Sequence, residues 1–348
     1  MFETIGNAIH TFSSWLNLPL FITLIGGGLF FMFYSGFIPL RFYGRGLKAV
    51  GVKEEGAAGQ ISSFQALSSA IAATVGLGNI SGVAVAITIG GPGTIFWMWV
   101  SACLGMATKF FEGTLAIMFK GRDSRGELQG GTMYMITEGL GNKWKPLAVL
   151  FSIFGMVGTF CLMQSNQLTE ALQTVIFRPA GIENTPWLRL VVGLCIAGIV
   201  SLVVVGGINR IGKVATLIVP FMVGFYFLLV FYIILTNLSV VPDVFRSIFQ
   251  EAFNLKAGLG GLAGSAIVIG ARRAAFVNEA GVGTATMMHG ASKNSEPVRE
   301  GLVAMIAPSI DSGLVCTLTA LAVLINAQYT VSNVQGMQMV IESFERSI

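Results

Sequence analysis

The run Ala72-Ala73-Thr74-Val75-Gly76-Leu77-Gly78-Asn79-Ile80-Ser81-Gly82 places three glycines, an asparagine and two hydroxyls inside an otherwise apolar, charge-free segment. Glycine and asparagine are poor helix formers. A backbone that unwinds in hydrocarbon must be buried in protein or line a polar cavity. Two readings follow: close helix packing through small residues, or a helix broken at its centre. Polar Thr74 and Asn79 beside the glycines favour the break. Its free amides would then hold a carboxylate and its carbonyls a cation, with no charged side chain needed.

Three further groups bear on the same chemistry. In Gln164-Ser165-Asn166-Gln167 the two glutamines lie three residues apart, on one helix face. They point at a central cavity or hydrogen-bond between helices. Asp311 is the single acidic residue between positions 301 and 341. A carboxylate near the centre of a span costs about 2.5 to 3.5 kcal/mol to insert, so it marks a functional site by default; the preferred role is a cation ligand, the alternative a structural partner to an arginine. Lys109 and Glu112 are three apart on one helix face and read as a self-neutralising structural pair. Glu170 lies towards the outer end of its segment and reads as solvated.

The elements that position these groups follow from composition. Only 38 of 348 residues are charged, 11%, whereas soluble proteins carry about 25%. With 54% hydrophobic residues, 44 glycines and a mean hydropathy of +0.76, the chain is a polytopic membrane protein. Disordered chains, basic nucleic-acid binders and ordinary cytosolic enzymes are excluded. A membrane-embedded enzyme would need a convergent nucleophile, base or metal cluster. The segments offer none, and no cofactor is expected. A channel would call for repeated charged or carbonyl rings.

A helix that crosses hydrocarbon needs about 20 residues. Charge-free runs of that order lie at 18–40, 62–89, 94–119, 147–177, 189–207, 214–238, 257–277 and 302–326, which predicts eight spans. Alternating loops then place fifteen of the 21 Lys and Arg residues on one side and five on the other, with Lys109 inside a span. This bias puts the basic loop before position 61 in the cytoplasm and both termini outside, in a plasma membrane. The net charge of +4 is thus a topological label. Residues 239–256 form an outer loop whose Val244-Phe245, Ile248-Phe249 and Ala252-Phe253 pairs suit a helix lying on the membrane surface. Cys103, Cys161, Cys195 and Cys316 lie in apolar runs and read as small buried residues. His10 and His289 are too far apart in sequence to pair as ligands. No Lys or Arg precedes the first apolar run, so no removable signal peptide is expected.

A second glycine-rich opening, Ala257-Gly258-Leu259-Gly260-Gly261-Leu262-Ala263-Gly264-Ser265, answers the first. Glycine-interrupted spans at corresponding places in two halves point to an inverted-repeat transporter. The expected organisation is an extra N-terminal helix and basic loop in 1–61, a first five-helix repeat in 62–238, the outer loop 239–256 and the start of a second repeat in 257–348. The charged, glycine-bearing run from Arg272 to Gly283 reads as an anchor that ends a helix or as a gate at the inner face.

Thr74-Val75-Gly76-Leu77-Gly78-Asn79-Ile80-Ser81-Gly82, Met106-Ala107-Thr108-Lys109-Phe110 with Glu112-Gly113, Gly130-Gly131-Thr132-Met133-Tyr134, Gln164-Ser165-Asn166-Gln167 and Asn278-Glu279-Ala280-Gly281-Val282-Gly283 resemble, in that order, the alanine or glycine:cation symporters of bacteria and archaea. The resemblance implies an all-α LeuT-type fold with broken helices. It also implies sodium-coupled import of alanine or glycine by alternating access in a prokaryotic membrane, with no nucleic-acid or protein partner. A proton-coupled or other-substrate carrier of the same fold is the alternative. By motif, Thr74, Gly76, Gly78 and Asn79, with Gln164 and Gln167, line the amino-acid site. The main-chain carbonyls of Ala72 and Val75 help hold one sodium, and Thr74 and Asn79 another. Family members continue through three more spans, so the second repeat is expected to be incomplete here, lacking any ligands on its later helices; a non-transporting fragment is the corresponding alternative.

Overall fold

The computed structural model describes residues 2–52, 58–124, 126–160, 162–253, 266–326 and 336–347. Helix α1 (Phe2–Tyr34) ends earlier than the apolar run that encodes it. Gly36 and Phe37 adopt φ of +61° and +62°, which turns the chain. Pro39 then opens α2 (Ile38–Arg41), and α3 (Tyr43–Val50) follows. The expected 62–89 span is two helices, α4 (Ser63–Thr74) and α5 (Leu77–Gly90), bent by 44°. Helix α6 (Thr94–Met118) follows the glycine-proline turn and leads into a small antiparallel hairpin, β1 (Gly121–Arg122) and β2 (Leu128–Gln129).

Beyond the hairpin lie α7 (Thr132–Leu140), α8 (Lys145–Gly158) and α9 (Leu162–Leu172), then a π-helical turn at Gln173–Phe177. The single span expected over 147–177 is therefore interrupted after Gly158. There the Thr159 hydroxyl donates to the Gly155 carbonyl at 2.9 Å, competing with the helical ladder. Two long helices come next, α10 (Pro186–Val204) and α11 (Gly207–Thr236), then α12 (Val241–Ala252). The rest comprises α13 (Ala266–Asn278), α14 (Ala285–Gly290), α15 (Pro297–Ala304), α16 (Cys316–Ile325) and α17 (Met337–Ser347).

Among the described residues, four segments are long and apolar enough to cross a membrane: Thr94–Met118, Pro186–Val204, Gly207–Thr236 and Pro297–Ile325. The bent pair α4–α5 adds a fifth. The chain is an all-helical polytopic membrane protein, but several of the eight spans read from hydropathy are broken rather than continuous. The glycine run at 257–265 lies outside the described residues.

Helix α6 is the axis, with α1, α13, α14 and α15 packed around it. Small residues allow this. A Cβ on Gly113 would stand 2.6 Å from the Ala304 methyl, and one on Gly301 would stand 2.6 Å from the Phe110 carbonyl oxygen, so α6 and α15 cross nearly backbone to backbone. Two apolar clusters pack along α6. One gathers Val83, Ile95, Met98, Ile233, Ile248 and Leu321, the other Leu67, Ile71, Met106, Phe110, Val303 and Ile306. Helix α10 buries only Val192 and exposes Leu190, Leu194, Ile199 and Leu202, as a lipid-facing helix does.

Two expectations change. Helix α12 forms as its pattern predicts, but it docks on protein rather than only on the membrane surface. Val244, Ile248 and Ala252 are buried, and the Trp97 indole donates to the Ala252 carbonyl at 2.9 Å. Cys103 and Cys195 are exposed on the outer faces of their helices instead of buried; Cys316 is buried, and Cys161 lies outside the described residues. An apolar neighbourhood in sequence marks lipid-facing positions as readily as core ones.

Candidate functional site

The first break begins where α4 runs out at Thr74. The Thr74 hydroxyl turns back to the carbonyls of Ala70 and Ile71 at 3.2 and 3.3 Å. Val75 and Gly76 are extended, and α5 starts at Leu77. The Gly76 amide donates to the Asn79 side-chain oxygen at 3.3 Å and not to the Ala72 carbonyl, which is thereby released from its usual helical partner. Asn79 is fully buried. Its own side-chain amide donates to the Asp311 main-chain carbonyl at 3.4 Å. One asparagine thus caps α5 and fixes the break against a distant helix.

Asp311 lies in a π-helical turn, Ser309–Val315, that interrupts the α15–α16 span just after Pro308. Such turns inside helices commonly mark functional sites. The Asp311 side chain is fully buried. Its Oδ1 accepts the Ser312 amide. Its Oδ2 has no hydrogen-bond partner, and neither does the Ser312 hydroxyl. The Thr74 side chain faces this carboxylate, and Lys109 is the cation whose field reaches it. The arrangement is a buried cluster of oxygen atoms near the first break, two of them without a hydrogen-bond partner.

A second break follows α13, where the sequence places a charged anchor or a gate. The helix does not end at Arg272 and Arg273 but runs on to Asn278. Arg273 packs over Gly82 of α5 instead of ending the span. The chain unwinds over 279–284, where Glu279, Gly281 and Gly283 take φ of +50°, +90° and +86°. The Glu279 carboxylate accepts the Thr284 hydroxyl. Glu112 grips this segment from α6: its Oε1 accepts the amides of Gly281 and Gly283 at 2.8 and 3.2 Å. Its Oε2 pairs with Lys109 Nζ at 3.4 Å. Lys109 and Glu112 form the expected pair and are buried in the protein, 1% and 8% exposed.

Between the two breaks lies a cavity of about 410 Å³. Of the residues singled out in sequence, Thr74, Gly76, Gly78, Asn79 and Gln164 line it. Gln167 does not; it is half-buried one turn along α9. Ala72 and Val75 lie outside the lining: the Ala72 side chain is exposed and Val75 is 6% exposed. Asp311 sits behind the wall, joined to it through Asn79. Phe151, Phe154, Phe276 and Met287 supply the apolar surface, and Glu279 and Thr284 supply polar groups that the sequence reading did not single out. The signal for them was the Asn278-Glu279-Ala280-Gly281-Val282-Gly283 run, which reads as an anchor that ends a helix or as a gate and which follows the end of α13.

The geometry can be set beside known proteins. The sequence profile of the sodium:alanine symporter family matches residues 2–348. The sodium/alanine symporter AgcS of Methanococcus maripaludis is 39% identical over 91% of this chain and 70% of its own length. The amino-acid carrier protein AlsT of Bacillus subtilis is 38% identical over 90% of this chain and 67% of its own. A second protein of Bacillus subtilis, named probable sodium/glutamine symporter GlnT, is 36% identical over 93% of this chain and 66% of its own.

Proposed function

The chain belongs to the sodium:alanine symporter family, and from that premise we propose that it imports a small neutral amino acid, alanine or glycine, together with sodium by alternating access. The family is one of membrane transporters and not of enzymes. The observation that carries the proposal is the cavity walled by two helix breaks, with Thr74, Gly76, Gly78, Asn79 and Gln164 on its surface.

An amino acid is a zwitterion with a short side chain. The first turn of α5 presents amides without intrahelical partners, and the helix dipole places partial positive charge there. A substrate carboxylate docks at Gly78, beside the Gly76 amide that Asn79 holds, Gln164 contributes a neutral amide, and Gln167 backs it from the same helix. The phenylalanines of α8 and α13 receive the apolar side chain. Sodium is the cargo of the neighbouring pocket. Hard oxygen donors suit a hard cation: the open Asp311 Oδ2, the Ser312 and Thr74 hydroxyls, the released Ala72 carbonyl and the Val75 carbonyl. Asn79 touches both sites, so sodium binding shapes the break that the substrate then reads. The break at Gly76 acts as a hinge of a LeuT-type inverted repeat. The chain lies in a prokaryotic plasma membrane with both termini outside and the basic loops in the cytoplasm.

Uptake of labelled alanine into proteoliposomes, with and without an inward sodium gradient, is the direct test. Sodium-stimulated uptake that unlabelled alanine and glycine suppress is the expected result. Competition by glutamine alone would shift the substrate to the kind named for GlnT. Uptake driven only by a proton gradient would make Asp311 a proton carrier. Uptake indifferent to both gradients would end the symport reading.

A further inference from the structure

We infer that Glu279 is the counter-charge for the ammonium group of the substrate and so restricts the cavity to amino acids over otherwise similar carboxylic acids. The inference rests on the amino-acid reading of the cavity and assigns the part of the substrate that the glycine break cannot hold.

Among the described residues that line the cavity, Glu279 is the one ionisable side chain. It directly follows the last residue of α13, whose C-terminal end carries partial negative charge. The cavity therefore has a negative wall at Glu279 and a positive wall at the start of α5, around Gly76 and Gly78. A zwitterion fits that polarity in one orientation, with its carboxylate at the glycines and its ammonium at Glu279.

The backbone strengthens the argument. Glu279 adopts φ of +50°, in the left-handed region that residues with a Cβ rarely enter. Glycine would adopt it without strain. What Glu279 adds at this position is a carboxylate, and local strain of this kind concentrates at binding sites. The surroundings hold it in place. The Thr284 hydroxyl donates to the carboxylate, and Glu112 fixes Gly281 and Gly283 two and four residues further on. The carboxylate is only half-buried, which leaves it open to a ligand in the cavity.

The experiment measures sodium-dependent equilibrium binding of labelled alanine to the purified full chain in detergent, with L-lactate as competitor. Lactate has alanine's carboxylate and methyl group but a hydroxyl in place of the ammonium. In the native protein, lactate is expected to leave alanine binding unchanged at about a hundredfold excess. Glu279→Gln is expected to weaken alanine binding by about tenfold or more, the scale of a charge-assisted hydrogen bond, and to shrink the preference for alanine over lactate by a similar factor. Thr284→Val, which removes the orienting hydroxyl, is expected to give a smaller loss of the same kind. Alanine binding within about twofold of native in Glu279→Gln, or lactate competing as well as alanine in the native protein, overturns the inference. If Glu279→Gln does not fold, the lactate competition on the native protein decides alone. A native protein that binds no amino acid in sodium defeats the transport reading itself, whereas native binding with an unchanged Glu279→Gln defeats only the role of Glu279.

Discussion

The Asn79 side-chain amide donates to the Asp311 main-chain carbonyl at 3.4 Å, which joins the broken α4–α5 span to the π-helical turn of the α15–α16 span. These residues are 232 positions apart in sequence. With its other atom Asn79 accepts the Gly76 amide at 3.3 Å. The residue that shapes the amino-acid side of the break is therefore also bonded to the residue that bears the buried carboxylate. A single side chain therefore bridges the Asp311 backbone and the Gly76 amide.

Replacing Asn79 by Ala removes both bonds and leaves the Gly76 amide without its partner. The expected outcome is a loss of alanine affinity of about tenfold or more, given that a buried group left unsatisfied costs about 1 to 3 kcal/mol. Cys195→Ala alters an exposed thiol on α10 and is expected to bind alanine as the native chain does. Isothermal titration of both variants compares them, and equal effects would remove Asn79 from the site.

The break at Gly76 was legible because its determinants are local: glycine and asparagine are poor helix formers, and three glycines with an asparagine crowd this segment. The amphipathic pattern of α12 was legible for the same reason. The second break expected from sequence, at 257–265, lies outside the described residues. The run from Arg272 to Gly283 reads in sequence as an anchor or a gate; α13 carries through both arginines to Asn278, with Arg273 lying along Gly82. What unwinds the chain is the left-handed backbone at Glu279, Gly281 and Gly283, held by Glu112 from 169 and 171 residues away. Long-range contacts of that kind leave no local pattern. Asp311 could be ranked from the cost of a carboxylate in hydrocarbon, but its contact with Asn79 required the fold.

Asp311→Asn keeps the side chain's shape and removes its charge. Because Oδ2 is the open donor in the oxygen pocket, this variant is expected to lose the sodium dependence of alanine binding. Measuring alanine affinity across a sodium titration, with choline as the replacement cation, reads the effect. A sodium response equal to the native one would assign the cation elsewhere.

Lys109 and Glu112 test whether the second break is held by a buried ion pair. Glu112→Gln strands the Lys109 charge in the interior and weakens the grip on Gly281 and Gly283. Breaking one side of such a pair costs about 3 to 5 kcal/mol. The double variant Lys109→Met with Glu112→Gln leaves neither member of the pair charged, though it also removes the Lys109 field from Asp311, and is expected to recover part of that loss. Thermal unfolding of the detergent-solubilised variants measures both effects. Additive losses, with no recovery in the double variant, would show that the pair does not act as a unit.

Glu251 gives a pH dependence whose sign can be worked out. Its carboxylate lies against the glycine-proline turn before α6, where a Cβ on Gly91 would stand 2.5 Å from Oε2. Burial pushes the Glu251 carboxyl above the ordinary carboxylate range. A carboxyl whose value is raised on folding binds its proton more tightly in the folded state, so protonation stabilises the fold. The native chain therefore loses this contribution as the pH rises through the raised value. Glu251→Gln is neutral at every pH and keeps the shape of the protonated acid. Its melting temperature is expected to exceed the native one at mildly alkaline pH, with the gap closing as the solution is acidified towards the carboxyl's own range. A gap that is constant across pH, or a native chain that is the more stable at alkaline pH, would mean that the Glu251 charge is stabilised against the turn rather than penalised there.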